Sequence, residues 1–192
     1  ETGYMDVIAL AQMGIRNAVA TLGTATSARH LTRMFRAVSE VVFCFDGDTA
    51  GRNAAWRALE TSLPLMEDGR RVRFLFLPDG EDPDTRVRSI GTEGFLQEIE
   101  QATPLEQFFF DKLSEGVDIQ SIEGKARLSN MAKPLLRLFP KGVYGQLMLD
   151  KLSETLGISS ESLDQLLASS PPERGSRSEP PETKIAVSYT HL

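Results

Sequence analysis

The chain has 192 residues, a formal net charge of −6 and an isoelectric point near 5.1. This length suits one main domain with an extension, and the acidic balance excludes a basic coat, so any nucleic-acid contact must be a local patch or be bridged by metal. One cysteine, Cys44, and two histidines, His30 and His191, exclude a zinc finger or a disulfide framework and fit a reducing cytoplasm. No apolar run approaches the ~20 residues of a membrane span, and no signal pattern opens the chain. A soluble, cytoplasmic protein is expected, and the abrupt start without methionine suggests a fragment.

In chain order, "MDVIALAQMG" carries apolar residues at Val7, Ile8 and Ala11 on one helical face, with Gly14 as a stop. "IRNAVATLG" reads as a short buried strand closed by Gly23. "TATS" offers caps for "ARHLTRMFRAV", where Leu31, Met34, Phe35 and Val38 form an apolar stripe and Arg29, Arg33 and Arg36 lie on another side. "EVVFCF" is a continuous apolar run, as expected of a strand covered on both faces. After "DGDTAG", the stretch "RNAAWRALETSLPLM" reads as helix, and "RRVRFLFLP" as another strand followed by the acidic turn "DGEDPD". Strands alternating with helices imply an α/β protein with a parallel sheet, whose sites gather at the carboxyl ends of the strands. From about Thr85 strand-like runs vanish and four amphipathic helical segments follow, with Ser159 or Ser160 capping a last short helix. "SSPPERGSRSEPPETK", beyond residue 168, has almost nothing to bury and reads as a flexible linker. The closing "IAVSYTHL" is compatible with a non-native end.

Asp46 and Asp48 end a strand two residues apart, a spacing that lets a turning backbone aim both carboxylates at one point. Two carboxylates about 4 Å apart repel by roughly 4 kcal/mol at an effective dielectric of ~20, so a cluster needs compensation. A divalent cation supplies it, and an all-oxygen donor set suits Mg²⁺ or Mn²⁺. Asp82 and Asp84, spaced by Pro83, join the cluster if their strand neighbours the first, and Asp6 is a fifth candidate. Such a centre would catalyse phosphoryl transfer. Taken singly, "DGD" is equally explained by the turn preferences of Asp and Gly, and "DGEDPD" is better explained as a solvated acidic turn. The run "FCFDGDT" also matches the D-x-D-x-T motif of haloacid-dehalogenase-type phosphatases, with Asp46 as nucleophile. That chemistry wants a partner lysine, and no lysine precedes Lys112.

The three stretches "GYMDVIALAQMGIRNAVATLGTATS", "FCFDGDTAGRNAAWRALE" and "FLPDGEDPDT", in this order, resemble the Toprim catalytic domain of bacterial DnaG-type DNA primases, from Gly3 to about Ala168. The resemblance implies a Toprim-like parallel-sheet domain, truncated at its N-terminus, over residues 1–88, a small all-α subdomain over 89–168, and a linker or tail over 169–192. It implies synthesis of short RNA primers by nucleotidyl transfer, with Asp6, Asp46 and Asp48 as catalytic groups and Asp6, Asp46, Asp48, Asp82 and Asp84 around Mg²⁺ or Mn²⁺. Zinc would belong to a domain outside this chain. Implied partners are single-stranded DNA, ribonucleoside triphosphates and, through a further C-terminal domain, the replicative helicase; a monomer in the bacterial replisome is implied, with no membrane. The family has a glutamate immediately before the glycine of "GYMD", where this chain has Thr2, so the fragment alone is expected to be inactive or impaired. An inactive metal-binding module of a replication protein is the reading from another class.

Arg29, Arg33 and Arg36, spaced to share a helical face, and Arg52, just after the D-x-D turn, are candidate nucleotide or nucleic-acid contacts; solvated helix surfaces are the alternative. Trp56 reads as core and His30 as surface. Phe108, Phe109 and Phe110 should anchor the helical part, although three consecutive aromatics on one helix are not expected to face inward together, so that one of them would meet a missing domain.

Overall fold

In the computed structural model, which describes residues 3–20 and 26–168, two apolar runs become the central strands β1 (Glu40–Phe45) and β2 (Arg71–Phe76). They pair parallel, Val41 opposite Val72 and Phe45 opposite Phe76. The Leu77 amide extends the ladder by donating to the Phe45 carbonyl at 2.9 Å. A two-residue strand, β3 (Thr103–Pro104), joins the far edge of β2 antiparallel. The sheet is therefore mixed, and a strand does occur beyond Thr85. Pro104 is tolerated there because an edge position has no use for its missing N–H.

Helices α1 (Gly3–Gln12) and α4 (Pro83–Glu100) cover one face of the sheet, where Leu10, Leu75, Leu77, Val87 and Phe95 are buried together. The other face, with Phe43, Phe74 and Phe76, meets α2 (Ala28–Met34), α3 (Thr49–Ser62) and the chain after Thr103. A 3₁₀ turn, Leu63–Leu65, follows α3, and α5 (Leu105–Ser114), α6 (Ile122–Leu136), α7 (Val143–Leu156) and α8 (Ser160–Ala168) complete the order. Ser159 caps α8, its hydroxyl accepting from the Ser162 amide. Helix α4 runs across residues 88 and 89 and kinks at Gly91, where φ 76° and ψ 169° define a conformation open essentially to glycine. No helix among the described residues is long and apolar enough to cross a membrane.

Several elements differ from the sequence expectations. Residues 15–20 form no strand; the Ile15 amide closes the end of α1 on the Leu10 carbonyl, and Val19 is 70% exposed. A strand needs ladder partners, and none lies beside this segment among the described residues; Gly23 lies outside them. The stripe on α2 stops at Phe35, because the helix ends at Met34 and the following turn leaves Val38 exposed. Strand β1 is covered unevenly: Val41 and Phe43 are buried on one face, while on the other Val42 is half-buried against the α1 and α4 cluster and Cys44 is exposed. All three phenylalanines of α5 are buried, at 7, 0 and 8% exposure. Phe108 packs 4.8 Å from Phe74 and 5.3 Å from Phe76, Phe109 stacks on Trp56 at 6.4 Å, and Phe110 meets Phe109 edge-on. A helix enclosed by sheet and helices buries more than the one stripe expected of a surface helix.

The helical part is pinned to the sheet by a cap from a distance. Gly142, the residue before α7, has no side chain to satisfy the first amides of that helix. Asp68, in the turn before β2, does so instead: its carboxylate accepts from Val143 N at 3.0 Å and Tyr144 N at 2.9 Å. These bonds to the Tyr144 and Val143 amides hold its carboxyl below the usual carboxylate range. A folded-state pKa below the unfolded value, about 3.9, contributes stability that is fully present above that value and is lost as pH falls through the folded pKa. Thermal unfolding of Asp68→Asn against wild type across pH should therefore show a lower midpoint for the variant at neutral pH and a converging pair in acid. A gap that stayed constant down to pH 2 would exclude the charge as its source.

Candidate metal and phosphoryl-transfer site

The parallel pairing carries both acidic turns to the same end of the sheet. Asp46 follows β1 directly and is exposed. Asp48 begins α3 as its N-cap, accepting from the Gly51 amide at 2.6 Å. After β2 the chain turns through Pro78–Glu81, and Asp82 caps α4 in a capping box with Thr85. Pro83 occupies the first turn, where its missing N–H costs nothing. These bonds to Thr85 hold Asp82 below the usual carboxylate range, so it remains a charged acceptor.

Gly47 lets the two turns touch. A Cβ there would stand 2.3 Å from the Leu77 carbonyl oxygen and 3.2 Å from an Asp79 carboxylate oxygen. Arg52 braces the same turn from behind: its Nε donates to the Gly47 carbonyl at 3.2 Å, and its guanidinium lies 5.0 Å from the Phe76 ring centroid. The second turn is anchored by Arg86, which bonds Glu81 at its start and Glu98 beyond the Gly91 kink. Gly47, Asp79 and the bracing role of Arg52 escape the sequence reading. Asp79 had a signal, as the first acid of "DGEDPD".

Asp6 completes the arrangement from α1. It is 8% exposed. Burial raises its pKa, a hydrogen bond from the Asp84 amide opposes that, and the charges of Asp82, Asp84 and Asp46 raise it further. Burial is thus the first cause of the shift, and the acidic turns add to it. Asp84 also pairs with Arg88. Cys44 keeps solvent contact at its edge of β1, yet the protein around its sulfur, then Asp46, Asp6 and Glu98, push the thiol up to about 12. It stays protonated and outside the chemistry.

The donors are hard oxygens, as Mg²⁺ or Mn²⁺ requires. Among the described residues, however, no group of three or more carboxylate, cysteine or histidine side chains stands at metal-holding spacing. Physical chemistry accounts for the splay, because uncompensated carboxylates repel and each turns to another partner: Asp48 to Gly51, Asp82 to Thr85, Asp84 to Arg88. Asp46 makes no side-chain hydrogen bond among the described residues. The donor chemistry fits a divalent cation, and the side chains would have to rotate to close on it. Arg29, Arg33 and Arg36 lie on the exposed side of α2 and its following turn, separate from the acidic turns.

Comparison with known proteins gives the arrangement a context. A family described as Toprim-like matches residues 2–87, and one described as the DnaB-helicase binding domain of primase matches residues 106–161. The DNA primase of Pseudomonas aeruginosa is 57% identical over 171 residues, covering 88% of this chain and 26% of that protein. The DNA primase of Escherichia coli strain K12 is 53% identical over 166 residues, covering 86% of this chain and 29% of that protein. This chain thus spans under a third of the length of these relatives. A crystal structure of a DNA primase domain from Pseudomonas aeruginosa superposes with a TM-score of 0.83 at 57% identity, covering 86% of this chain and 52% of that one. A DnaG primase catalytic domain bound to single-stranded DNA superposes at 0.80 with 52% identity, covering 83% and 51%. The phosphatase alternative gains no support from these matches.

The contact at Gly47 is directly testable. Gly47→Ala should destabilise the fold by about 1–3 kcal/mol, as overpacking against fixed backbone does, read as a lower denaturant midpoint with an unchanged slope. Wild-type stability in the variant would show that the two turns do not need this close approach.

Proposed function

Since this chain belongs to the family of bacterial DnaG-type DNA primases, we propose that its acidic sheet end is the metal-dependent centre of primer synthesis, joining ribonucleotides on a single-stranded DNA template. The observation that carries this reading is the parallel pairing of β1 and β2, which sets both acidic turns at one end of the sheet, with Asp6 buried against the Asp84 amide. Asp46 and Asp48 would hold a divalent cation, with Asp6, Asp82 and Asp84 completing the charge around it. Bound there, Mg²⁺ or Mn²⁺ would supply charge stabilisation for the transferred phosphoryl oxygens.

The residues of the chain do the positioning. Asp48 and Asp82 each begin a helix, which sets where their backbone stands, and Arg52 holds the turn between Asp46 and Asp48 against Phe76. Template DNA, ribonucleoside triphosphates and the replicative helicase are the proposed partners, and the longer primase, as a monomer in the replisome, is the proposed context. The division into a catalytic domain over 1–88 and a helical subdomain over 89–168 belongs to the same proposal. Thr2 lies outside the described residues; where the family has glutamate, a threonine hydroxyl supplies no negative charge. Primer synthesis by this chain alone is therefore expected to be weak.

Two measurements test the reading. Mn²⁺ titration followed by water-proton relaxation should show binding by the wild type and a loss of roughly 10-fold or more in Asp46→Asn/Asp48→Asn. Asparagine at 48 keeps the cap of α3 while removing the charge, so identical affinity would refute the site without ambiguity about folding. In a full-length primase carrying this segment, Thr2→Glu should raise primer yield. No change would favour the inactive-module reading.

A further inference from the structure

Several cations of this acidic chain are engaged by carboxylates. Arg70, Arg71, Arg73, Arg86 and Arg88 all pair with carboxylates. Arg29, Arg33 and Arg36 do not: no carboxylate among the described residues pairs with any of them. All three are exposed, and with Thr32 they line an open depression of about 480 Å³.

Their support is firm although their tips are free. Leu31 is fully buried and Phe35 nearly so. Ser27 caps α2, accepting from the His30 amide, and the Phe35 and Val38 amides continue the turn onto Leu31 and Met34. That turn keeps Arg36 in the depression although the helix itself has ended. Helix α2 packs against α3, the helix that Asp48 opens, so the basic depression stands on a firmly packed layer of the fold.

We propose that this depression is a second phosphate-binding surface, in which Arg29, Arg33 and Arg36 hold the sugar–phosphate backbone of a nucleic-acid strand at a place separate from the acidic turns. The inference rests on the reading of the chain as part of a nucleic-acid polymerase and adds where the strand is held. Three considerations select a strand over a small anion. Guanidinium groups match phosphate oxygens in forked pairs and are weakly hydrated. Seven residues of helix and turn spread the arginines over roughly 10 Å, at 1.5 Å per residue, which is longer than one phosphate. With a net charge of −6, the chain as a whole repels a polyanion, so a local cluster of three arginines is a favoured place for one to settle.

The test measures fluorescein-labelled oligothymidylate binding to the 192-residue chain by anisotropy, in EDTA so that the acidic centre takes no part, over a series of salt concentrations. Each neutralised phosphate of a single strand contributes about 0.7 to the slope of log affinity against log salt. Arg29→Gln/Arg33→Gln/Arg36→Gln should lower that slope by about 2 relative to wild type, whereas the triple lysine variant should retain it. Circular dichroism checks the fold; should the triple variant misfold, Arg29→Gln and Arg33→Gln alone should each remove about 0.7. An unmoved slope in the glutamine variants, with wild-type binding intact, overturns this inference and leaves the acidic centre untouched. Inorganic triphosphate displacing the oligonucleotide at equal charge concentration would also overturn it, in favour of a compact anion. Absence of any wild-type binding would overturn both this inference and the template-binding part of the proposed function.

Discussion

The ladder between β1 and β2 ends with the Leu77 amide on the Phe45 carbonyl, and that last bond places the turn beyond each strand. Because side chains alternate with a period of two, a slip of one residue would turn Phe74 from the aromatic face to the side of α1 and α4 and part the acidic turns. The register is set by the faces themselves: Phe43 and Phe74 stack 5.5 Å apart, Phe45 and Phe76 6.5 Å apart. Hydrophobic matching along the strands thus determines the position of charge beyond them. Gly47 then removes the one obstacle to contact between the turns.

The aspartates serve two ends at once. Asp48 and Asp82 each begin a helix, where the unsatisfied amides and the positive end of the helix dipole favour a carboxylate. A negatively charged cluster is costly to assemble; capping offsets part of that cost locally, before any cation arrives. Asp6 shows the opposite balance, with burial and three neighbouring carboxylates acting against its charge and only the Asp84 amide acting for it.

Much of this was legible in the sequence because it is local. "EVVFCF" and "RVRFLF" are apolar runs of strand length, whereas DGDTAG and DGEDPD read as turns although Asp48 and Asp82 already cap the helices that follow. The alternation of strand and helix implied a parallel sheet, and the direct pairing of β1 with β2 was left open until the ladder showed it. The features that were not legible depend on partners far along the chain. "IRNAVATLG" has strand composition, but no neighbouring strand takes up its backbone. Phe108, Phe109 and Phe110 defied the one-face rule because α5 is enclosed, a property of the fold and not of its own residues. Arg52 gave no hint that it spans from a turn carbonyl to Phe76. Asp6 was a candidate member of the acidic group from its place in the first helix, while its burial emerges only from the packing of α1 on α4.

The Asp68 cap carries a consequence for how the chain assembles. The bonds from Val143 and Tyr144 to Asp68 span 75 and 76 residues, so the first turn of α7 is completed only when the loop before β2 has already taken shape. Contacts of such long sequence separation must overcome the entropy of closing a large loop before they stabilise anything. The helical half can collapse around its leucines, yet the start of α7 should stay frayed until the sheet presents that carboxylate. During synthesis on the ribosome, the β1–β2 unit would therefore act as a template on which the later helices are finished.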